Sequence, residues 1–430
     1  MRFILFLAAL ALAAPAAAQL RPDERRMTAA VDREAGRTIA LLERLVNQNS
    51  GTLNLAGVTA VGAMMRAELE PLGFVVRWVD MGETNRAGHI VATHAGAGRN
   101  VLLIGHLDTV FEPDSPFQRF VRAGDRATGP GVGDDKGGLA VIVAALRAMH
   151  EAGTLRTANV TIVLTGDEER PGAPIALARR DLILAGRAAD YALEFENLAV
   201  EGDRDFGTVA RRSSTSWTLT ATGRTGHSSG VCGAELGCGA VYEMARILDA
   251  FRRELPEPNL TYNVGVIAGG TPAAIDAQGL SVTASGKTNI VAETAIARGD
   301  IRTLSAEQES RVRARMRAIV AQHLPHTGAE LVFAEDGYPP MAPTQGNRAI
   351  LARLNAVNRD LGLPEMAEYD PARRGAADSS FVANDVATLA GLGAGGGGAH
   401  AEGEWVDLAT LPRQAKRAAI LITRLTRERR

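Results

Sequence analysis

Aromatic residues are scarce. Phe, Trp and Tyr make up only 4% of the 430 residues, too few for base-stacking platforms or sugar-stacking clefts. Neither sign of charge prevails, with 47 Lys and Arg against 49 Asp and Glu, so there is no electrostatic footprint for nucleic acid or an anionic membrane surface. There are only two cysteines, Cys232 and Cys238. On one helix, positions six apart are too distant to bridge. They read either as two buried thiols or as one small strained loop, and in neither reading as catalytic. Long apolar runs are also missing, except at the start.

That start is MRFILFLAALALAAPAAAQL. Arg2 supplies a charged leader, Phe3 to Ala14 an apolar stretch, and Ala16-Ala17-Ala18 a small-residue cleavage site. The pattern is that of a secretory signal peptide, too short to remain as a membrane span. It predicts an exported, periplasmic or secreted protein without a membrane span once the signal is removed. An oxidising compartment would permit a disulfide.

At 430 residues, the chain is too long for one simple core and suggests two domains. Helical spacing runs over Met27–Asn47 and Val58–Leu69, the latter stopped by Pro71 and Gly73. Strand-like runs follow at Phe74–Val79, His89–Thr93 and Val101–Gly105, then a glycine-led helix at Lys136–Met149 and strands at Asn159–Thr165 and Tyr191–Phe195. Alternation of this kind argues for an α/β sheet with helices on both faces. Near Arg211 the texture changes. STSWTLTATG, Ser214–Gly223, alternates as a half-buried strand. A helix over Ala240–Arg253, strands near Leu260–Ile267 and Ala292–Thr303, a helix opened by the capping box Ser305–Gln308 and a strand near Leu331–Phe333 complete an α+β sandwich. The expected organisation is a signal peptide over 1–18, a first domain over 19–210, an inserted domain over 211–338, and the return of the first domain over 339–430.

Metal-type ligands gather where strands end. His106 and Asp108 follow the Val101 strand. Asp134-Asp135 lies in GPGVGDDKGG, Glu168-Glu169 in TGDEER after the Asn159 strand, Glu196 in LEFE, and His400 after a glycine run. Open α/β sheets place their sites beyond the carboxyl ends of strands. Adjacent carboxylates repel when buried unless a counter-charge joins them, and a pair of divalent cations supplies that charge. Histidine and carboxylate without thiolate suits zinc, with cobalt or manganese also fitting. Singly, each motif has an ordinary reading as a helix cap, a solvated acid pair or a flexible loop. Their joint occurrence in this order is what carries weight.

As a set, the motifs resemble the di-zinc exopeptidase and deacylase family that includes glutamate carboxypeptidase, succinyl-diaminopimelate desuccinylase and aminoacylase, and most of all its secreted glutamate-carboxypeptidase-like members. The resemblance spans the mature chain. It implies a mixed central sheet with helices on both faces, an inserted α+β lid or dimerisation domain, and a homodimer. It implies two zinc ions, with His106, Asp134, Glu169, Glu196 and His400 as ligands, Asp134 bridging and followed by a cis peptide. Asp108 would orient His106, and Glu168 would be the general base. From the inserted domain, His227 would reach an active site, Asn289 would contact substrate, and Arg302 would grip a terminal carboxylate. Arg373-Arg374-Gly375 and Asp378 resemble the family's G-G-x-x-D stretch near the metals. The implied reaction is amide hydrolysis releasing a carboxyl-terminal amino acid, glutamate among the candidates, from a small peptide or N-acyl conjugate. A deacylase or aminopeptidase of the same family is the alternative. Outside it, an exported solute-binding protein would share the signal and cleft but would need no base at Glu168. Two features depart from the family pattern. Val291 stands where the family has proline two residues after the asparagine, and the Gly269–Gly286 loop is long. Arg204, near where glutamate-preferring members carry a basic side-chain reader, reads as a surface arginine.

Overall fold

The structure, a computed structural model, describes residues 20–276 and 281–429. The signal-peptide segment lies outside them. Among the described residues no helix is long and apolar enough to cross a membrane.

A six-stranded sheet runs in the order Val75–Asp80, Gly88–His94, Asn159–Thr165, Asn100–His106, Tyr191–Glu194, Thr388–Leu389. The last four strands are parallel, and Gly88–His94 runs antiparallel to both of its neighbours. Every residue of Asn100–His106 is buried, as befits a central parallel strand covered on both faces. Its alternate residues serve different cores. Val101 and Leu103 point toward the larger cluster, while Leu102 and Ile104 meet Val163, Leu182 and Val382 on the other side. The Lys136–Ala152 helix is buried nearly all round, because the helices Pro22–Arg33, Ala35–Asn47 and Thr410–Thr426 enclose it.

A second core lies between a four-stranded antiparallel sheet, ordered Thr261–Gly270, Thr294–Arg302, Thr215–Gly223, Thr327–Phe333, and the helices Ala240–Glu254 and Ala306–Val320. Thr215, Trp217, Leu219 and Ala221 are buried while Ser216 and Thr222 are exposed, the period-2 pattern read from the sequence. The chain crosses between the two bodies twice, and the crossings pair as a short antiparallel ladder. Arg211 and Met341 exchange bonds of 2.9 and 3.0 Å, and Tyr338 and Ser214 exchange bonds of 2.9 and 3.0 Å.

Some local readings change. The helix expected over Met27–Asn47 is two helices, because Glu34, at φ −93° and ψ 7°, steps out of helical geometry. At the capping box, Ser305 Oγ accepts from the Gln308 amide at 3.1 Å, but the Gln308 carboxamide accepts from Leu304 rather than from Ser305. The long Gly269–Gly286 loop carries a hairpin, Ala273–Ile275 against Val282–Ala284. Cys232 and Cys238 are joined. They close an exposed turn in which the Cys232 amide donates to Gly237 at 2.8 Å, so the bridged loop forms and not a pair of buried thiols. Arg204 is exposed, with its guanidinium 5.9 Å from the Phe206 ring.

Candidate metal centre

Register places the key side chains at one edge of the main sheet. His106 pairs with Thr165 and Ile104 with Glu194, so the segments carrying Asp108, Glu168 and Glu196 all leave the sheet at its carboxyl end. The glycines beside Asp134-Asp135 and before His400 let the remaining segments close in. A Cβ on Gly138 or on Gly393 would fall 1.9 Å from the Phe195 carbonyl oxygen. The helix behind Asp134 and the loop leading to His400 thus press on the same peptide.

The five expected ligands converge in two overlapping groups. His106 Nε2 lies 3.0 Å from Asp134 Oδ1. His400 Nε2 lies 3.3 Å from Asp134 Oδ2 and 3.1 Å from Glu169 Oε2, so Asp134 stands between the two imidazoles. One ligand atom each from His106, Asp134 and Glu169 lie within 4.8 Å of one another, and the same holds for His106, Glu168 and Glu196. The Asp134–Asp135 peptide is cis.

Carboxylates crowd the cluster. Burial, then the neighbouring Glu196 charge, pushes the Glu168 carboxyl well above the ordinary range. Burial lifts Glu196 to about 8, against the pull of Arg211. Hydrogen bonds to Asp134 and Glu169 push His400 up to about 10. Glu169 Oε1 and Asp135 Oδ1 are buried without a hydrogen-bond partner. Imidazole nitrogens and carboxylate oxygens aimed at common points, with buried oxygens left over, fit divalent cations of the zinc, cobalt or manganese type.

Asp108 does more than face His106. The His106 Nδ1 lies 3.1 Å from the Asp108 main-chain carbonyl and 3.4 Å from its carboxylate. That carboxylate also accepts from Thr52 Oγ1 at 2.6 Å and from the amides of Glu168 and Glu169 at 3.0 and 3.1 Å. Burial alone would raise its pKa, but the hydrogen bonds from His106 and Thr52 hold it below the usual value. One carboxylate therefore fixes an imidazole and the backbone of both glutamates.

Several residues escape sequence reasoning. Glu404 accepts from the amides of Gly131, Gly133 and Asp134 at 3.1, 2.8 and 3.0 Å, shaping the loop that presents Asp134. Arg211, read from sequence only as a boundary, holds Glu194 at 2.6 Å and Glu196 at 2.7 Å. Arg179 is fully buried, binding Asp378 at 2.7 Å, Asp167 at 2.6 Å and the Tyr338 hydroxyl at 2.8 Å. Tyr338 in turn donates to the Glu168 carbonyl at 2.8 Å.

The residues from the smaller body are only partly assembled. His227 and Asn289 lie on adjoining loops, where the Ser228 amide donates to the Asn289 carbonyl at 2.9 Å. Both side chains are exposed, and the His227 Nδ1 lies 2.8 Å from Ser229 Oγ. Arg302 is occupied by Asp300, Nε to Oδ2 3.0 Å. Among the described residues none of the three hydrogen-bonds to the metal-type cluster. Val291 uses its amide to donate to Gly226 at 2.9 Å, a bond that proline there would forfeit.

A histidine–carboxylate cage at the carboxyl edge of an α/β sheet, with a free acid beside it, defines the site of a metal-dependent hydrolase. Comparison with known proteins agrees. The model of Peptidase family M20/M25/M40 matches residues 102–424, and the chain belongs to that family of metal-dependent peptidases and amidohydrolases. It is 28% identical over 421 residues to carboxypeptidase G2 of Pseudomonas sp. (strain RS-16), covering 96% of this chain and 94% of that one. In fold it is similar to aminopeptidase PepT from Bacillus cereus ATCC 10987, with a TM-score of 0.72, 18% identity, and coverage of 91% and 98%. It is also similar to the Bacillus subtilis YXEP protein, a dinuclear metal binding peptidase from the M20 family, with a TM-score of 0.64, 14% identity, and coverage of 92% and 99%.

Proposed function

We propose that the protein releases a carboxyl-terminal amino acid, glutamate in particular, from a small peptide or N-acyl conjugate, acting as an exported homodimer with two zinc ions per subunit. The observation that carries this reading is the placement of Glu168. Its carboxylate has no hydrogen-bond partner among the described residues, yet one of its oxygens lies within 4.8 Å of ligand atoms of His106 and Glu196. Its backbone is held from both ends, by Asp108 and by Tyr338. A solute-binding protein has no use for such a group.

His106, Asp134, Glu169, Glu196 and His400 would hold the metals, whose Lewis acidity lowers the pKa of water. Glu168 accepts a proton from the attacking water and passes it to the leaving nitrogen, a shuttle suited to a carboxyl whose pKa is raised. His227 and Asn289 supply donors to the developing oxyanion, and Arg302 leaves Asp300 for the substrate's terminal carboxylate. Likeness to carboxypeptidase G2 supports release of a carboxyl-terminal residue. The test is Glu168→Gln. It should retain metal and bind substrate while turnover falls by a factor of at least about 1,000, within the range for loss of a general base. Undiminished hydrolysis by this variant would remove Glu168 from the chemistry.

A further inference from the structure

Arg374 lies beside the metal-type cluster. Arg374 Nη2 donates to the main-chain carbonyl of Asn197 at 2.8 Å, directly after Glu196. The carbonyl of the following residue, Gly375, accepts from Arg211 at 3.1 Å, and Arg211 is the residue that grips Glu196. The Arg374 guanidinium is therefore tethered at the rim of the cage.

Most neighbouring arginines have acid partners, and Arg212 spends its donors on Thr261 Oγ1 at 3.0 Å and the Ala372 carbonyl at 2.8 Å. Arg211 has Glu194 and Glu196, Arg302 has Asp300, and Arg373 has Glu201. Among the described residues Arg374 forms no ion pair, and its Nε is buried without a partner. Glu196, Glu194 and Asp134 lie near enough to favour its charge, but none pairs with it, and Glu194 and Glu196 are already bound to Arg211. Burial, then the adjacent Arg211 charge, lowers its pKa to about 10, so the group remains a cation at neutral pH. A charge that is partly desolvated and unpaired is costly, and an anion arriving with the ligand relieves that cost. Arg374 is only partly buried, and Gly375 beside it is exposed with nothing within 4 Å of where its Cβ would stand.

We propose that Arg374 is a specificity-determining residue that receives a second carboxylate of the substrate, so that the preferred substrates are conjugates of an acidic amino acid. The planar guanidinium presents two parallel donors that match a carboxylate. This inference rests on the amidohydrolase reading above. With the terminal carboxylate assigned to Arg302, the partner left for Arg374 is the acidic side chain. It turns glutamate from one candidate among several into the residue type the pocket selects.

The test compares kcat/KM for N-benzoyl-glutamate, N-benzoyl-glutamine and N-benzoyl-leucine with the zinc-loaded wild type, Arg374→Ala and Arg374→Gln. The glutamine variant keeps a donor for the Asn197 carbonyl and guards against simple collapse of the loop. The wild type should favour glutamate over glutamine. Both variants should lose about ten- to a hundredfold on glutamate, the loss expected for one charged hydrogen-bonded contact, and change less than about twofold on glutamine and leucine, where no such contact exists. Equal losses on all three substrates, or a glutamate preference that survives both variants, would overturn the proposal. If the wild type cleaves none of the three, the amidohydrolase reading fails instead. Calorimetric binding of free glutamate and glutamine to the same proteins then decides the role of Arg374 independently, with the same selective loss expected and its absence fatal.

Discussion

Replacing Tyr338 by Phe removes a single oxygen and leaves the ring. That oxygen joins two groups that have few alternatives. It receives a hydrogen from the buried Arg179 guanidinium and donates its own to the Glu168 carbonyl, both at 2.8 Å. Ring packing against Phe381, centroids 4.8 Å apart, survives the change. What is lost is one hydrogen bond of about 1 kcal/mol, together with an Arg179 N–H left dry at about 1–3 kcal/mol. Tyr338 is only partly buried, so a total of about 2 kcal/mol is the expectation. In a chain of this length the entropy of unfolding approaches 0.9 kcal/mol per kelvin, at about 2.1 cal/mol/K per residue, so the melting temperature should fall by only about 2 °C. The sensitive readout is steady-state kinetics. Releasing the Glu168 carbonyl loosens the proton-transferring group without touching substrate contacts, so kcat should drop about tenfold, with KM and bound metal unchanged. Loss of metal, or a rise in KM with kcat intact, would refute the reasoning. Wild-type kcat would do so too.

Other outcomes follow from the same geometry. Chelation should abolish activity and lower the melting temperature. Returning zinc, cobalt or manganese at about a hundred times Kd should restore about 2.7 kcal/mol, read by calorimetry. Glu404→Gln sets an amide NH2 against at least one of the three loop amides, so equilibrium dialysis should show metal affinity reduced about ten- to a hundredfold. Gly393→Ala should destabilise by about 2 kcal/mol or more in urea titration, because its Cβ meets a carbonyl oxygen at 1.9 Å. Gly36→Ala, a helical site with nothing within 4 Å, should stabilise by about 0.5 kcal/mol in the same assay.

Much of the site was legible in the sequence because its motifs combine chemistry with position. An apolar run ending in His106-Leu107-Asp108 says both that a strand leaves the core and that ligands sit at its end. Asp134-Asp135-Lys136 with two glycines behind it marks acids at the head of a helix, and the structure shows Gly138 against Phe195. The supporting groups left no such trace. Thr52 and Asp108 are 56 positions apart, and Arg179 and Asp378 are 199 apart. Thr52 and Arg179 look like ordinary polar residues until folding buries them beside Asp108 and Asp378, which the motifs had already marked. Arg211 marked a change of texture, but nothing in its neighbours announced that it would neutralise Glu194 and Glu196. The division of the first helix at Glu34 was hidden for another reason, since no proline stands there and the apolar spacing continues across it.

The paired crossings between the two bodies carry a mechanical implication. Each of the two paired segments sends one side chain into the working site, Arg211 toward Glu196 and Tyr338 toward the backbone of Glu168. Any swing of the smaller body about that ladder would tug on both acids together. Opening and closing would then act like a camshaft, setting the carboxylates into or out of alignment with each stroke, so that a cleft left ajar would also be an enzyme out of tune.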